Sequence, residues 1–270
     1  MMVSMSASAP PKPTASARIA RTLAITSGKG GVGKTFVSAN LAAALSRQGL
    51  KVLVLDADLG LANLDVVLNL YPKITLHDVF TGKAQLEEAI LPAPGGFSVL
   101  LAGSGLVEYS RLTPEVRDQL QGIFEAVKPR FDVILIDTGA GISDVVLHAV
   151  SMAQDVVVVA TPEPTSLTDA YATIKVLSAQ QGREVLHLVV NQVGRPGDGR
   201  AICNQLQQVV ERFVQGPKGV PPRLQLLGDI PLDSAVREAV RKRSLLLELH
   251  PGSAAAQGIL QVAARLASPR

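Results

Sequence analysis

The sequence predicts a doubly wound α/β fold: one mostly parallel sheet with helices on both faces. Three observations carry this. Short apolar runs alternate with stretches of helical periodicity from Leu23 onward. No linker along the way is long enough to split the chain, which places one domain over residues 21–267, between a tail at 1–20 and a stub at 268–270. The run Gly28-Lys29-Gly30-Gly31-Val32-Gly33-Lys34-Thr35 fits G-x-x-x-x-G-K-[ST] and sits between a strand and a helix, where such a loop binds phosphate.

The 270 residues are 47% hydrophobic, enough for a sizeable core, but only 3% aromatic with no Trp, so that core must be aliphatic. A net charge of +3 is only mildly basic and does not itself argue for nucleic acid. The single Cys203 cannot form an internal disulfide, which predicts a reducing cytosol. No apolar run is long enough for a transmembrane helix. The Ser/Ala/Pro-rich start, to about Arg18, lacks a signal-peptide core and reads as a disordered tail.

The first strand is Leu23 to Thr26. In the loop after it, glycines let backbone N–H groups turn inward around a polyphosphate, and the next helix adds its positive dipole end. Lys34 reaches the β- and γ-phosphates and the Thr35 hydroxyl binds Mg²⁺. That helix runs to about Gln48, stopped by Gly49. A buried strand, Lys51 to Leu55, delivers Asp56-Ala57-Asp58 to the ligand edge of the sheet, as turn formers or as site carboxylates.

Thr75 to Phe80 and Leu86 to Ile90 read as single helical turns, and Phe97 to Leu101 as a strand running into a plain glycine turn at 102–105. Thr113 caps a helix from Pro114 to Val127. Phe131 to Asp137 is an apolar strand closed by an aspartate, and Asp155 to Ala160 a central strand. Pro162 and Pro164 force an extended loop before a helix starting near Ser166 or Leu167. A strand from Val185 to Val190 ends in Asn191, an ordinary turn residue or a base contact. Helix Ala201 to Val214, strand Leu224 to Leu227 and a last helix over about Ser253 to Ala267 complete the order. Arg237, Arg241, Lys242 and Arg243 lie on a short helix, as a solvated face or a surface for acidic partners.

The loop Ser27 to Thr35 resembles the deviant Walker A loop of the MinD/ParA ATPases, and the resemblance extends from Arg21 to Leu266. It implies a P-loop NTPase fold in which the Asp137 strand neighbours the first strand. It sends Lys29, the extra lysine, across a dimer interface to the partner's nucleotide. It assigns Asp58 to the attacking water and places Asp56 near the magnesium shell. Asp137 takes the Walker B role, holding Mg²⁺ through a water opposite Thr35. Thr138 to Ser143 becomes a switch segment. Asn191 bonds the adenine edge, and Pro231 and Asp233 close over the base. Phe36 stands where many members carry a second hydroxyl, leaving the α-phosphate to backbone N–H groups.

Asp56 to Asp65 and Thr161 to Ala170 resemble the FlhG/FleN branch, which sets flagellar number and placement, and there Glu163 faces the dimer interface. The implied activity is slow, Mg²⁺-dependent ATP hydrolysis, with ATP favouring a homodimer and ADP the monomer. Implied partners are the GTPase FlhF or a flagellar transcription regulator, met in the cytoplasm, transiently at the inner membrane face or cell pole. The tail shows no Asp-Gln-Ala helix of the kind that activates FlhF. The C-terminus shows no membrane-targeting helix, so membrane association is expected to be at most weak. Direct DNA binding is not expected. The alternatives are a partition or division-site ATPase acting on DNA or membrane; a metal-cluster carrier is disfavoured by the single cysteine.

Overall fold

The computed structural model describes residues 19–58, 63–103, 112–195, 197–216 and 218–267. Residues 1–18 of the expected N-terminal tail, the C-terminal stub, the stretch 59–62 and the second half of the glycine turn at 102–105 lie outside the described residues, while Ala20, expected in the tail, is buried.

The elements follow the alternation read from the sequence. Strand β1 (Arg21–Ser27) leads into α1 (Lys34–Ser46), and β2 (Val52–Ala57) follows. Three short helices come next, α2 (Leu64–Leu68), α3 (Leu76–Phe80) and α4 (Leu86–Ala89). Then come β3 (Ile90–Pro92), β4 (Ser98–Leu100), α5 (Pro114–Val127), β5 (Val133–Ala140), α6 (Asp144–Ser151) and β6 (Asp155–Ala160). The last part holds α7 (Pro164–Gln181), β7 (Val185–Val193), α8 (Asp198–Phe213), β8 (Arg223–Pro231), α9 (Ser234–Arg241), α10 (Leu246–Leu249) and α11 (Ala254–Ala267).

The described strands form one eight-stranded sheet in the order β3-β4-β2-β5-β1-β6-β7-β8. Every pairing is parallel except β3 with β4. β1 lies between β5 and β6, so the glycine loop leaves the middle of the sheet, and the Asp137 strand is its neighbour. Successive strand residues point to opposite faces. Leu53, Leu55, Ile134, Ile136, Val156 and Val158 pack with α5 to α8, while Val54, Leu135, Val157 and Val159 pack with α1, α10 and α11. With both faces covered, the strands read as unbroken apolar runs rather than alternating ones.

Local differences from the sequence reading have local causes. Ile90 leaves the helical turn to open β3, which pairs antiparallel with β4. That strand includes Pro92, so a residue type that argues against strands hid it. Helix α7 starts earlier than expected, at Pro164, because proline suits the first helical position, where no N–H is needed. Asp137 and Asn191 both lie inside their strands, which run on to Ala140 and Val193.

Both sheet edges are blunted. β3 is short and carries Pro92. On β8, Gln207 Oε1 accepts from Leu224 N at 2.7 Å, and Arg265 Nη1 donates to Leu227 O at 2.6 Å. Helix α11 packs its Ala255, Ile259, Val262 and Leu266 into the core over β8 and α1. No helix among the described residues is long and apolar enough to cross a membrane.

Candidate nucleotide site

The glycines of the loop serve different ends. Gly31 and Gly33 have φ of 79° and 94°, the left-handed region that side chains disfavour. Gly28 is instead required by closeness: a Cβ there would lie 2.1 Å from the carbonyl oxygen of Asp169 in α7. Gly33 is the N-cap of α1 and offers no side chain, so no side-chain cap occupies the first N–H groups of the helix. These groups face a cavity of about 560 Å³. It is lined by Gly30, Gly31, Gly33, Lys34, Thr35 and Phe36 on one side, and by Asp58, Asn63, Gly139 and Ser143 among others.

The carboxylates gather beside it. Asp56 of β2 and Asp137 of β5 are register partners on neighbouring strands, and both are buried. Asp137 accepts from Ser38 Oγ at 2.8 Å and from the Thr35 hydroxyl. Burial pushes its carboxyl up to about 6, against those hydrogen bonds and the Lys34 charge. Asp56 is held well above the usual carboxylate range, by burial first and by Asp137 next. Its Oδ1 accepts from Asp58 N at 3.1 Å, while its buried Oδ2 has no hydrogen-bond partner among the described residues. Burial draws the Lys34 ammonium down, and Asp137 and Asp58 oppose that.

This donor set suits Mg²⁺. A buried, unpartnered carboxylate oxygen, a second carboxylate and a threonine hydroxyl supply hard oxygens. Among the described residues no group of His, Cys, Asp and Glu is placed to hold a metal alone. Mg²⁺ does not need one, since it completes its octahedron with waters and substrate phosphates.

Asp58 stands over the segment after the β5 aspartate: a Cβ on Gly139 would come within 3.5 Å of Asp58 Oδ1. Thr138 Oγ1 donates to Ile25 O at 3.1 Å, and Gly141 N to Ser27 O at 2.8 Å, so the expected switch segment is tied to β1.

Matching over residues 18–267 is the ParA family, described as NUBPL iron-transfer P-loop NTPase. The chain belongs to the ParA family of P-loop NTPases. It is 42% identical over 246 residues to "Antiactivator FleN" of Pseudomonas aeruginosa, covering 91% of this chain and 86% of that one. It is 38% identical over 248 residues to "Flagellum site-determining protein YlxH" of Helicobacter pylori, covering 91% and 81%. Its fold matches the septum site-determining protein MinD of Pyrococcus horikoshii, solved with Mg-ADP, at a TM-score of 0.75 and 31% identity over 93% and 97% of the two chains. The resemblance to the MinD/ParA ATPases, and to their FleN branch, is borne out. The iron transfer in the family description finds one cysteine here, Cys203, buried on α8.

The loop residues Gly30, Gly31, Gly33, Lys34, Thr35 and Phe36 line one cavity with Asp58, and Asp137 reaches it through Thr35. Lys29 is turned to the surface within its own chain: Nζ lies 3.1 Å from Glu163 Oε2 and 3.0 Å from Thr165 Oγ1. Asn191 is committed to protein groups, with Nδ2 donating to Val32 O at 2.8 Å and Oδ1 accepting from Gln192 N at 3.0 Å. Asp233 is occupied as well. It caps α9 through Ala235 N at 2.9 Å and holds Ala255 N of α11 at 3.2 Å. Pro231 ends β8 close to Gly258.

Ser38 is the residue that the sequence reading missed. It lies one helical turn beyond Lys34 and Thr35, on their face of α1, and that spacing was the available signal. Asn63 and Ser143 line the cavity from segments noted only for their family likeness.

Proposed function

We propose that this chain is a Mg²⁺-dependent ATPase that controls flagellar number or placement through nucleotide-dependent homodimerisation and partner proteins. The observation that carries the ATPase reading is the cavity itself: an uncapped helix N-terminus and Lys34 face Asp58 across a space sized for a polyphosphate. The printed names of the FleN and YlxH relatives support the flagellar part.

The loop N–H groups and Lys34 bind and orient the phosphates. Thr35, Asp137 and Asp56 would hold Mg²⁺, which neutralises charge developing on the phosphoryl oxygens. Asp58 orients the water that attacks the γ-phosphate. Such transfer depends on placement and charge compensation more than on a strong base. Asp58 rests against Gly139, so a change at the γ-phosphate has a direct route into Thr138 to Ser143. Lys29 completes the site of a second copy, which couples turnover to dimerisation and makes it slow in the monomer. The packing of α11 into the core supports weak membrane association at most.

The test is the mass in solution, by sedimentation, with and without nucleotide, combined with counting flagella. Purified protein should be monomeric with Mg-ADP and dimeric with Mg-ATP, and deleting the gene should change flagellar number or position. Identical mass in both nucleotides removes the dimer switch; unchanged flagellation removes the flagellar role.

A further inference from the structure

Asn191 is 6% exposed, lies within β7, and touches the phosphate loop from below. Its amide donates to the carbonyl oxygen of Val32 at 2.8 Å. The amide is itself held, because Oδ1 accepts from Gln192 N at 3.0 Å. That second bond needs an unusual backbone. Gln192 sits at φ 60°, at a register shift between Asn191 and Val193 against β8. A non-glycine residue in that region is strained and persists only where the surroundings demand it. Here the turn at Gln192 aims the Asn191 amide. The loop is shaped to receive it: a Cβ on Gly33 would lie 2.6 Å from Asn191 Nδ2.

The consequence follows from peptide geometry. The carbonyl of Val32 and the N–H of Gly33 belong to one planar trans peptide and point in opposite directions. Fixing Val32 O on Asn191 therefore turns the Gly33 N–H away from β7, to the cavity side that Gly33 lines.

We propose that Asn191 is a positioning residue of the phosphate loop: its amide clamps the Val32 carbonyl and presets the Gly33 N–H for a polyphosphate, independently of the base attached to it. This rests on the nucleotide-binding reading above and assigns Asn191 to the phosphates rather than to the adenine edge. A clamp of this kind lowers the ordering cost of binding, because the loop need not find its bound form after the ligand arrives.

The test compares wild type with Asn191→Ala and Asn191→Asp, in Mg²⁺, against ATP, GTP and inorganic tripolyphosphate by calorimetry. Circular dichroism confirms folding at the working temperature. Both substitutions remove the donor, and aspartate keeps the acceptor for Gln192 N. Affinity for all three ligands should fall by a common factor of about ten, since one hydrogen bond of roughly 1.4 kcal/mol is tenfold. The ATP to GTP ratio should stay that of wild type. If Asn191→Ala does not fold, Asn191→Ser carries the comparison. A lost preference for ATP with unchanged tripolyphosphate affinity overturns the proposal and makes Asn191 a base reader. Unchanged affinities throughout overturn it as well. Wild type that binds none of the three ligands overturns the nucleotide reading itself, a separate failure.

Discussion

Lys29 Nζ rests 3.1 Å from Glu163 Oε2, so the two residues expected at a dimer interface are paired with each other in one chain. The side chains are 39% and 64% exposed, and an ion pair that open to water contributes on the order of 0–1 kcal/mol. It is therefore a parking place that a better partner can empty. Glu163→Ala should shift the monomer melting temperature by less than about 3 °C for a domain of this size. It should leave Mg-ATP affinity intact. A large drop in melting temperature would make the pair structural rather than exchangeable.

A lysine released from Glu163 and reaching a second copy should act there as an arginine finger does. Lys29→Ala and Asp58→Ala should each be inactive alone. Asp58→Ala should still bind ATP and accumulate as a dimer, because only the water-orienting group is gone. When the two are mixed, one site of each heterodimer has its own Asp58 and receives Lys29 from the other copy. Activity should return to about half that of a wild-type dimer per heterodimer. A mixture that dimerises with ATP yet stays inactive removes Lys29 from action in trans.

Lys34 feels the charges of both Asp137 and Asp58. Lys34→Ala should abolish Mg-ATP binding while the protein stays folded. At a ligand concentration about a hundred times Kd, wild type should gain about 2.7 kcal/mol from ATP, seen as a rise in melting temperature. The variant should gain none. An equal rise in both proteins would place the phosphates elsewhere.

Without nucleotide and Mg²⁺, the burial of Asp137 should make stability pH-dependent. Its pKa rises from 3.8 to about 6 on folding. The associated stability is fully present below 3.8 and is lost as pH rises through about 6, on the order of 3 kcal/mol in all. Melting temperatures in EDTA between about pH 4 and pH 6.5 should fall more steeply for wild type than for Asp137→Asn. Parallel curves would mean that Asp137 folds already ionised.

The inner strands were legible because burial on both faces writes each as an apolar run, and the loop motif showed which strand leads; β3, at the edge and carrying Pro92, was not. Lys34 and Thr35 were singled out by the loop pattern and Asp58 by the family resemblance, and the structure places all three along one cavity. Ser38 was not, since a serine inside an alanine-rich helix looks like filler until Asp137 is seen beside it across 99 residues of sequence. Lys29 and Glu163 are 134 residues apart, and nothing in either segment announces that they meet. Asn191 was singled out for its place after a strand, but its contact with Val32 depends on the turn at Gln192, which leaves no mark in the composition. Asp233 reads as a cap only once Ala235 and Ala255 are both in place.

The blunted margins of the sheet decide how copies of this chain can meet. Open margins invite strand addition, which is cooperative, hard to reverse and indifferent to what the cavity holds. With Pro92 at one margin and the Gln207 and Arg265 side chains occupying backbone groups of the other, that route is obstructed along the described residues. Association is left to surfaces made of side chains, whose complementarity a bound ligand is able to alter. The proposed switch of assembly and release needs that restriction, because a copy that could also polymerise through its backbone would associate whatever the cavity holds.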